Sequence, residues 1–137
     1  MERRAIVISD ADEKRLKALI RRAEQSGSND KSVLEKLEAA LRGAVLLRPS
    51  KIPNDVVTIN SCVRLLDIDS GQEEEVWLRL ASDKEALQSC PVLSDLGVTL
   101  LGNKLGDVVE WSGSTGRRRS KIVEIVYQPE RLGNYEV

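Results

Sequence analysis

The N-terminal part of the chain places apolar residues at intervals of three and four, the spacing of an amphipathic helix. The first apolar face consists of Leu16, Leu19, Ile20 and Ala23. Ser9 and Asp10 are suitable N-cap residues, and Asp10 with Glu13 has the spacing of a capping box. The preceding apolar run 5–8 is either a short strand or an anchor for the helix start. The Ser-Gly-Ser-Asn sequence at 26–29 predicts the end of this helix.

A second amphipathic helix follows this polar turn. Asn29 or Asp30 can cap its start, and Gly43 suits its end. Its apolar face consists of Val33, Leu34, Leu37, Ala40 and Leu41. Each helix has about 13 residues and a length of roughly 20 Å, which is too short for stability in isolation. The pattern therefore predicts a short antiparallel helical hairpin, of coiled-coil type, with the two apolar faces packed together.

The pattern changes after Pro49 and Pro53, which favour a linker. We therefore divide the chain into a hairpin at 1–50 and a second domain at 51–137. Alternating and β-branched residues in the second domain predict four strands, at 56–66, 76–81, 108–111 and 121–127. With one helix inserted before the last two strands, the expected fold class is α+β.

The same pattern predicts the turns and the buried faces of the second domain. Ser70–Gly71 and residues 112–116 are expected to form turns. The inserted helix begins after an N-cap at Ser94 and continues through Leu101, and Gly102 ends it. Two strand faces are expected, one of Val76, Leu78 and Leu80, the other of Val123, Ile125 and Tyr127.

Composition narrows the classes of protein. Hydrophobic residues make up 41% and charged residues 31%, a balance typical of globular proteins, and the net charge of -1 argues against a general nucleic-acid binder. No apolar run is long enough for a membrane span, so we expect a cytoplasmic protein without a membrane partner. Histidine is absent, and Cys62 and Cys90 alone cannot complete a zinc site. We expect no enzyme activity, no catalytic residue, no metal, no cofactor and no small-molecule substrate.

One long stretch of the second domain carries a family signature. The sequence PVLSDLGVTLLGNKLGDVVEW at 91–111 resembles the C-terminal domain of the bacterial Gre transcript-cleavage factors, the GreA/GreB family. Two further stretches, PNDVVTINS at 53–61 and EIVYQPE at 124–130, are similar to the Rnk group of nucleoside diphosphate kinase regulators. The short hairpin also resembles that group. The resemblance covers essentially the whole chain.

The resemblance implies an FKBP-like C-terminal domain that docks on RNA polymerase at the rim of its secondary channel. The hairpin would point toward the channel, and the protein would compete with Gre factors for the site. The residues that the resemblance assigns to docking are Ser94, Asp95, Leu96 and Gly97, with Leu101 and Lys104 behind them. The family pattern has proline after the serine, where this chain has Asp95. The simpler alternative is that the leucines pack the helix onto the sheet and that Ser94 and Asp95 serve as its cap.

The tip of the hairpin decides whether the protein can assist transcript cleavage. Gre factors place acidic residues at the end of a long coiled coil, beside the catalytic magnesium of the polymerase. Here the turn offers two carboxylates, Glu24 and Asp30, and the helices are far shorter than those of Gre factors. Glu24 is also explained as a solvated charge and Asp30 as a helix cap. We therefore expect no stimulation of cleavage.

Three functional hypotheses stay open at this point. The leading one is a non-catalytic regulator that binds RNA polymerase and affects nucleoside diphosphate kinase levels indirectly. The alternatives are direct regulation of a metabolic enzyme such as nucleoside diphosphate kinase, and a true transcript-cleavage factor. Separately, the basic run of Arg117, Arg118 and Arg119 is expected to be a solvated loop, and a weak contact with nucleic acid is the alternative.

Overall fold

The computed structural model describes residues 6–27, 31–80, 89–113 and 116–133. Its first two helices, α1 (Asp10–Ser26) and α2 (Lys31–Arg42), form the predicted hairpin. The buried apolar residues are largely the predicted ones: Leu16, Ile20 and Ala23 in α1, and Val33, Leu34, Leu37 and Leu41 in α2. α1 has 17 residues, about one turn more than expected, and is therefore about 25 Å long.

The start of α1 differs from the prediction. Ser9 is the N-cap, and its Oγ accepts a hydrogen bond from the backbone N–H of Asp12 at 3.0 Å. Asp10 is the first helical residue, so the capping box expected from Asp10 and Glu13 does not form. The end of α1 is confirmed, because Gly27 adopts a φ of 65° and donates its N–H to the carbonyl of Ala23.

A small parallel pair of strands closes the base of the hairpin. β1 (Val7–Ser9) precedes α1, and β2 (Val45–Leu47) follows α2. The apolar run at 5–8 was expected to be either a short strand or an anchor for the helix start. The strand interpretation is confirmed for residues 7 and 8. β2 was not predicted, because three residues are too few to show a periodicity. A single 3₁₀ turn, Pro49–Lys51, begins the predicted linker.

The second part of the chain forms one five-stranded sheet in the order β5-β4-β3-β7-β6. The strands are β3 (Cys62–Asp67), β4 (Glu73–Arg79), β5 (Ser89–Pro91), β6 (Val108–Gly113) and β7 (Gly116–Tyr127). β5 pairs with β4 in parallel, and the other pairs are antiparallel. The predicted inserted helix, α3 (Asp95–Leu100), connects β5 to β6.

The expected strand at 56–66 begins later than predicted. Asn60 has a φ of 71°, a left-handed conformation that interrupts an extended strand. Thr58 and Ser61 close a turn around it, with the N–H of Ser61 donating to the Thr58 carbonyl at 3.0 Å. Val56, Val57 and Ile59 are nevertheless fully buried. Their apolar character therefore reflected burial rather than strand structure.

The last strand also departs from the prediction. Its register against β3 shifts twice, between Cys62 and Val63 and between Arg64 and Leu65, so the strand alternation is broken by bulges. As a result, Ile122 and Ile125 are buried, and the expected common face of Val123, Ile125 and Tyr127 is wrong. β7 also begins at Gly116, so the basic run lies in a strand and not in a loop.

One hydrophobic core joins the hairpin to the sheet. It includes Ile8, Leu16, Ile20 and Leu37 from the hairpin side and Ile59, Val63, Leu65, Leu78, Leu100, Leu101 and Ile122 from the sheet side. The predicted α+β architecture, a helical hairpin plus a sheet with one helix, is confirmed. The boundary at residue 50 and the closer likeness to FKBP domains stay predictions. Within the described ranges, no helix is both long and apolar enough to cross a membrane.

Candidate docking site

The family stretch folds into β5, α3 and the turn between them. Ser94 caps α3 as predicted, because its Oγ accepts the N–H of Gly97 at 3.0 Å. The same hydroxyl donates to the carbonyl of Pro91 at 2.7 Å. The Ser94 side chain therefore fixes the first turn of α3 against the end of β5.

Gly97 brings the backbone of α3 unusually close to that turn. A Cβ atom at this position would lie 2.2 Å from the carbonyl oxygen of Pro91 and 2.8 Å from the Cα of Val92. Both are backbone atoms that cannot move aside without shifting the chain. Close packing of the backbone therefore requires a glycine at this position. The resemblance assigned Gly97 to docking and did not indicate this packing role.

Asp95, the departure from the family pattern, is engaged on both carboxylate oxygens. Oδ1 accepts a hydrogen bond from Nζ of Lys36 in α2 at 2.5 Å, and Oδ2 accepts the backbone N–H of Ser112 in β6 at 2.6 Å. The ammonium group of Lys36 holds the pKa of Asp95 below its usual range, and the Ser112 N–H acts in the same direction. Asp95 thus connects α3 and the edge strand β6 to the helical hairpin formed by α1 and α2, which we call the arm.

The structure brings together four of the six residues assigned to docking. Ser94, Asp95 and Leu96 are half-buried in the first turn of α3, and Gly97 in the same turn is buried. Leu101 is fully buried in the core, where it packs the helix onto the sheet. Lys104 is exposed beyond the opposite end of α3, which is about 9 Å long. The surface available to a partner is therefore the first turn, with Lys104 at a distance.

In the part that the structure describes, the tip of the arm carries few groups that could hold a metal ion. Glu24 is exposed in the last turn of α1, and Asp30 lies outside the described residues. In the described part of the chain, no group of three acidic, cysteine or histidine residues is arranged to hold a metal ion.

Sequence reasoning missed a second carboxylate at the base of the arm. Asp12 is buried, and its Oδ2 accepts the backbone N–H of Ile59 at 3.4 Å while Arg15 donates to Oδ1 at 3.3 Å. Burial raises the pKa of Asp12 to about 6, and the nearby charge of Glu130 adds to the effect. The Ser-x-x-Asp spacing from Ser9 could have indicated this residue.

The three arginines of β7 each face a carboxylate. Arg117 pairs with Glu110 and Arg119 with Asp69, both at 3.1 Å. Arg118 pairs with Asp67 at 2.5 Å and lies 5.2 Å above the ring of Trp111. The Arg118 guanidinium in turn holds the pKa of Asp67 below its usual range.

The comparison with known proteins establishes the class of this chain. Residues 52–127 match the family model for the C-terminal domain of the transcription elongation factors GreA and GreB. The chain belongs to this family. The matched segment covers β3 to β7 and includes the whole first turn of α3.

The chain is similar to proteins of two kinds, a regulator of nucleoside diphosphate kinase and transcription elongation factors. It is 31% identical over 98% of both chains to the regulator of nucleoside diphosphate kinase of Escherichia coli K12. It is 33% identical to the transcription elongation factor GreA of Acetivibrio thermocellus over 65% of this chain and 57% of that one. The solved structure of a GreA/GreB elongation factor from Nitrosomonas europaea superposes with a TM-score of 0.74 at 34% identity, covering 89% of this chain and 99% of that one.

Proposed function

We propose that the protein is a non-catalytic regulator that binds RNA polymerase in the cytoplasm through the first turn of α3. The observation that carries the proposal is the family match, which spans the sheet and this turn. Relatives of this segment are transcription elongation factors by name. The resemblance of the 91–111 stretch adds the rim of the secondary channel as the binding site and Gre factors as competitors.

The geometry of the first turn supports a rigid docking surface. Ser94 and Gly97 are fixed against the Pro91 carbonyl, so the turn is held in one conformation before any partner arrives. Such preorganisation reduces the entropy lost on binding. Leu96 is half-buried and packs against the core with only part of its side chain. Its remaining surface is the apolar contact that we assign to the partner.

The arm supports the non-catalytic part of the proposal. α1 is about 25 Å long, and the described part of its tip carries one exposed carboxylate, Glu24. A cleavage factor has to bring carboxylate groups to a buried magnesium ion, because Mg²⁺ prefers oxygen ligands. Its arm therefore has to be long enough to reach that ion. This chain instead occupies the docking site with a short arm. An effect on nucleoside diphosphate kinase then follows indirectly, through transcription.

Direct binding tests the docking surface. Labelled protein is titrated with core RNA polymerase, and we expect saturable binding that Leu96→Asp weakens by at least tenfold. Ile68→Asp is the matched control, because Ile68 is also a partly exposed apolar residue but lies in the β3–β4 turn. Absence of wild-type binding at micromolar concentrations, or equal loss in both variants, would contradict the proposal.

A transcript-cleavage assay tests the absence of catalysis. The protein is added to a backtracked elongation complex with magnesium, and the length of the RNA is followed with time. We expect the same rate as without the protein, whereas a GreA factor shortens the RNA in parallel. Faster shortening with this protein would instead identify a true cleavage factor.

A second candidate function comes from the name of one relative, a regulator of nucleoside diphosphate kinase. Under this hypothesis the chain binds the kinase itself. Mixing the two purified proteins and measuring phosphoryl transfer distinguishes the cases. Altered kinase activity favours direct regulation, and unchanged activity favours the transcriptional route.

The arginines of β7 are left out of the proposed interface. Each of them is paired with a carboxylate of a neighbouring segment, so releasing one for a phosphate requires breaking an existing ion pair. A contact with nucleic acid through Arg117, Arg118 or Arg119 would appear as strongly salt-dependent binding to DNA or RNA.

A further inference from the structure

In addition to the shared hydrophobic core, two polar contacts attach the helical arm to the rest of the protein. At its base, the buried carboxylate of Asp12 accepts the N–H of Ile59. Halfway along α2, Lys36 reaches across to Asp95 of α3. Because the second contact lies about 9 Å from the end of α2 at the base of the arm, it resists rotation of the arm about its base.

The second attachment ends inside the docking turn itself. Asp95 follows the cap Ser94 directly and precedes Leu96, which we assign to the partner. Its second oxygen accepts the N–H of Ser112 on the edge strand β6. One carboxylate therefore links the arm, the docking helix and the sheet edge.

Proline, which the resemblance places at this position, could not form either link. A proline side chain has no acceptor for a lysine or for a backbone N–H. The aspartate thus adds a connection between arm and docking turn that the family pattern lacks. Lys36 is 42% exposed and Asp95 22% exposed, so the pair is accessible to a partner and to salt.

We propose that Asp95 is a positioning residue that sets the direction of the arm relative to the docking turn through its ion pair with Lys36. This inference rests on the proposed docking function for its consequence, but the arm direction is a property of the free protein. The partial exposure of Asp95 does not make it a contact for the polymerase. Both of its oxygens are used within the chain.

The arm direction is measured by distances between spin labels in the full-length protein. Labels are attached through Gln25→Cys near the arm tip and Gln72→Cys in the β3–β4 turn, both exposed positions. Cys62 and Cys90 are buried, and a mock-labelled wild type corrects for any reaction there. We expect a narrow distance distribution in the parent protein and a broader, shifted one in Lys36→Met and in Asp95→Asn.

The double variant and a matched control separate positioning from general destabilisation. Lys36→Met with Asp95→Asn should broaden the distribution no further than either single change, because both remove the same pair. Lys17→Met removes another arm ion pair, Lys17 to Glu13 at 3.6 Å, which lies wholly within α1 and should leave the distribution unchanged. Unchanged distances in both Lys36→Met and Asp95→Asn overturn the inference.

Polymerase affinity then separates positioning from direct contact. We expect Lys36→Met, Asp95→Asn and the double variant to lose affinity equally, by about threefold, as suits a half-exposed ion pair. A loss with Asp95→Asn alone would make Asp95 a direct contact and overturn the inference. If the wild type does not bind polymerase, the proposed function fails, and the distances in the free protein still decide whether Asp95 positions the arm.

Discussion

Asp12 and Asp95 are two carboxylates at the starts of two helices, and their pKa values are shifted in opposite directions. Each lies in the first turn of a helix, accepts a backbone N–H from the sheet side and has a cation within reach. The pKa of Asp12 is raised to about 6, whereas the pKa of Asp95 is lowered. The difference lies in burial and in neighbouring charge.

Burial dominates at the base of the arm. The Asp12 side chain is 3% exposed and lies near the carboxylate of Glu130, so its own charge is disfavoured despite Arg15. Asp95 is more accessible and its nearest charge is an ammonium group. The comparison shows that burial disfavours the charged form of one aspartate, whereas a nearby ammonium group favours the charged form of the other.

The largest expected effect concerns the backbone that presents Asp95. Gly97→Ala should lower the free energy of unfolding by about 3 kcal/mol, since the new Cβ clashes with the backbone of Pro91 and Val92. Chemical denaturation measures the loss. Gly43→Ala is the control, because the nearest atom there is 4.0 Å away and the change should be close to neutral. Similar stability of the two variants would show that α3 can move away without cost.

The next effect is the pH dependence of the arm base. The folded-state pKa of Asp12, about 6, is above its ordinary value of 3.8, so its protonated form stabilises the fold and this stability is lost as pH rises through about 6. Asp12→Asn removes that loss and keeps an acceptor for Ile59. We expect it to raise the free energy of unfolding at pH 7.5 by about 1–2 kcal/mol and to have little effect at pH 4.

Denaturation curves of the Asp12→Asn variant at the two pH values check this prediction. Asp12→Ala serves as the control, because it also removes the charge but leaves the buried Ile59 N–H without its acceptor, so it should be less stable than Asp12→Asn by about 1–3 kcal/mol at both pH values. A lower stability of Asp12→Asn than of the wild type at pH 7.5 would mean that the charged form of Asp12 is the one the fold requires.

The smallest effect belongs to Asp95. Its lowered pKa means that the stabilisation is present above the ordinary value of 3.8 and is lost as pH falls, the opposite sign to Asp12. Asp95→Asn should cost about 0.5 kcal/mol at low salt and less at high salt, because partly exposed pairs are screened. Denaturation at two salt concentrations measures it. A cost that does not change with salt would place the pair in a more buried environment than the one described.

The sequence predicted the elements that have a clear periodicity. The apolar stripes of α1 and α2 and the cap at Ser94 follow from local spacing and are present, and α3 ends at Leu100, one residue earlier than predicted, with Gly102 in a left-handed conformation just beyond it. The alternation of Val76 and Leu78 likewise predicted their burial in β4. The family stretch contained the proposed docking turn, since its residues are adjacent in the chain.

Features that depend on distant segments were not predictable in this way. The bulges of β7 depend on its pairing with β3, and they changed which of its residues face the core. Asp12 meets Ile59 and Lys36 meets Asp95 only after the arm folds onto the sheet. The ion pairs of Arg118 and Arg119 were not predictable because their partners, Asp67 and Asp69, are remote in sequence.

Competition with a Gre factor tests the central claim most directly. A backtracked elongation complex is supplied with a limiting concentration of GreA, and the rate of RNA shortening is measured as this protein is titrated in. Occupation of the same site without catalysis predicts that the rate falls to the level without GreA, with a midpoint set by the directly measured affinity. A rate that stays constant at saturating protein, or rises, would contradict the account.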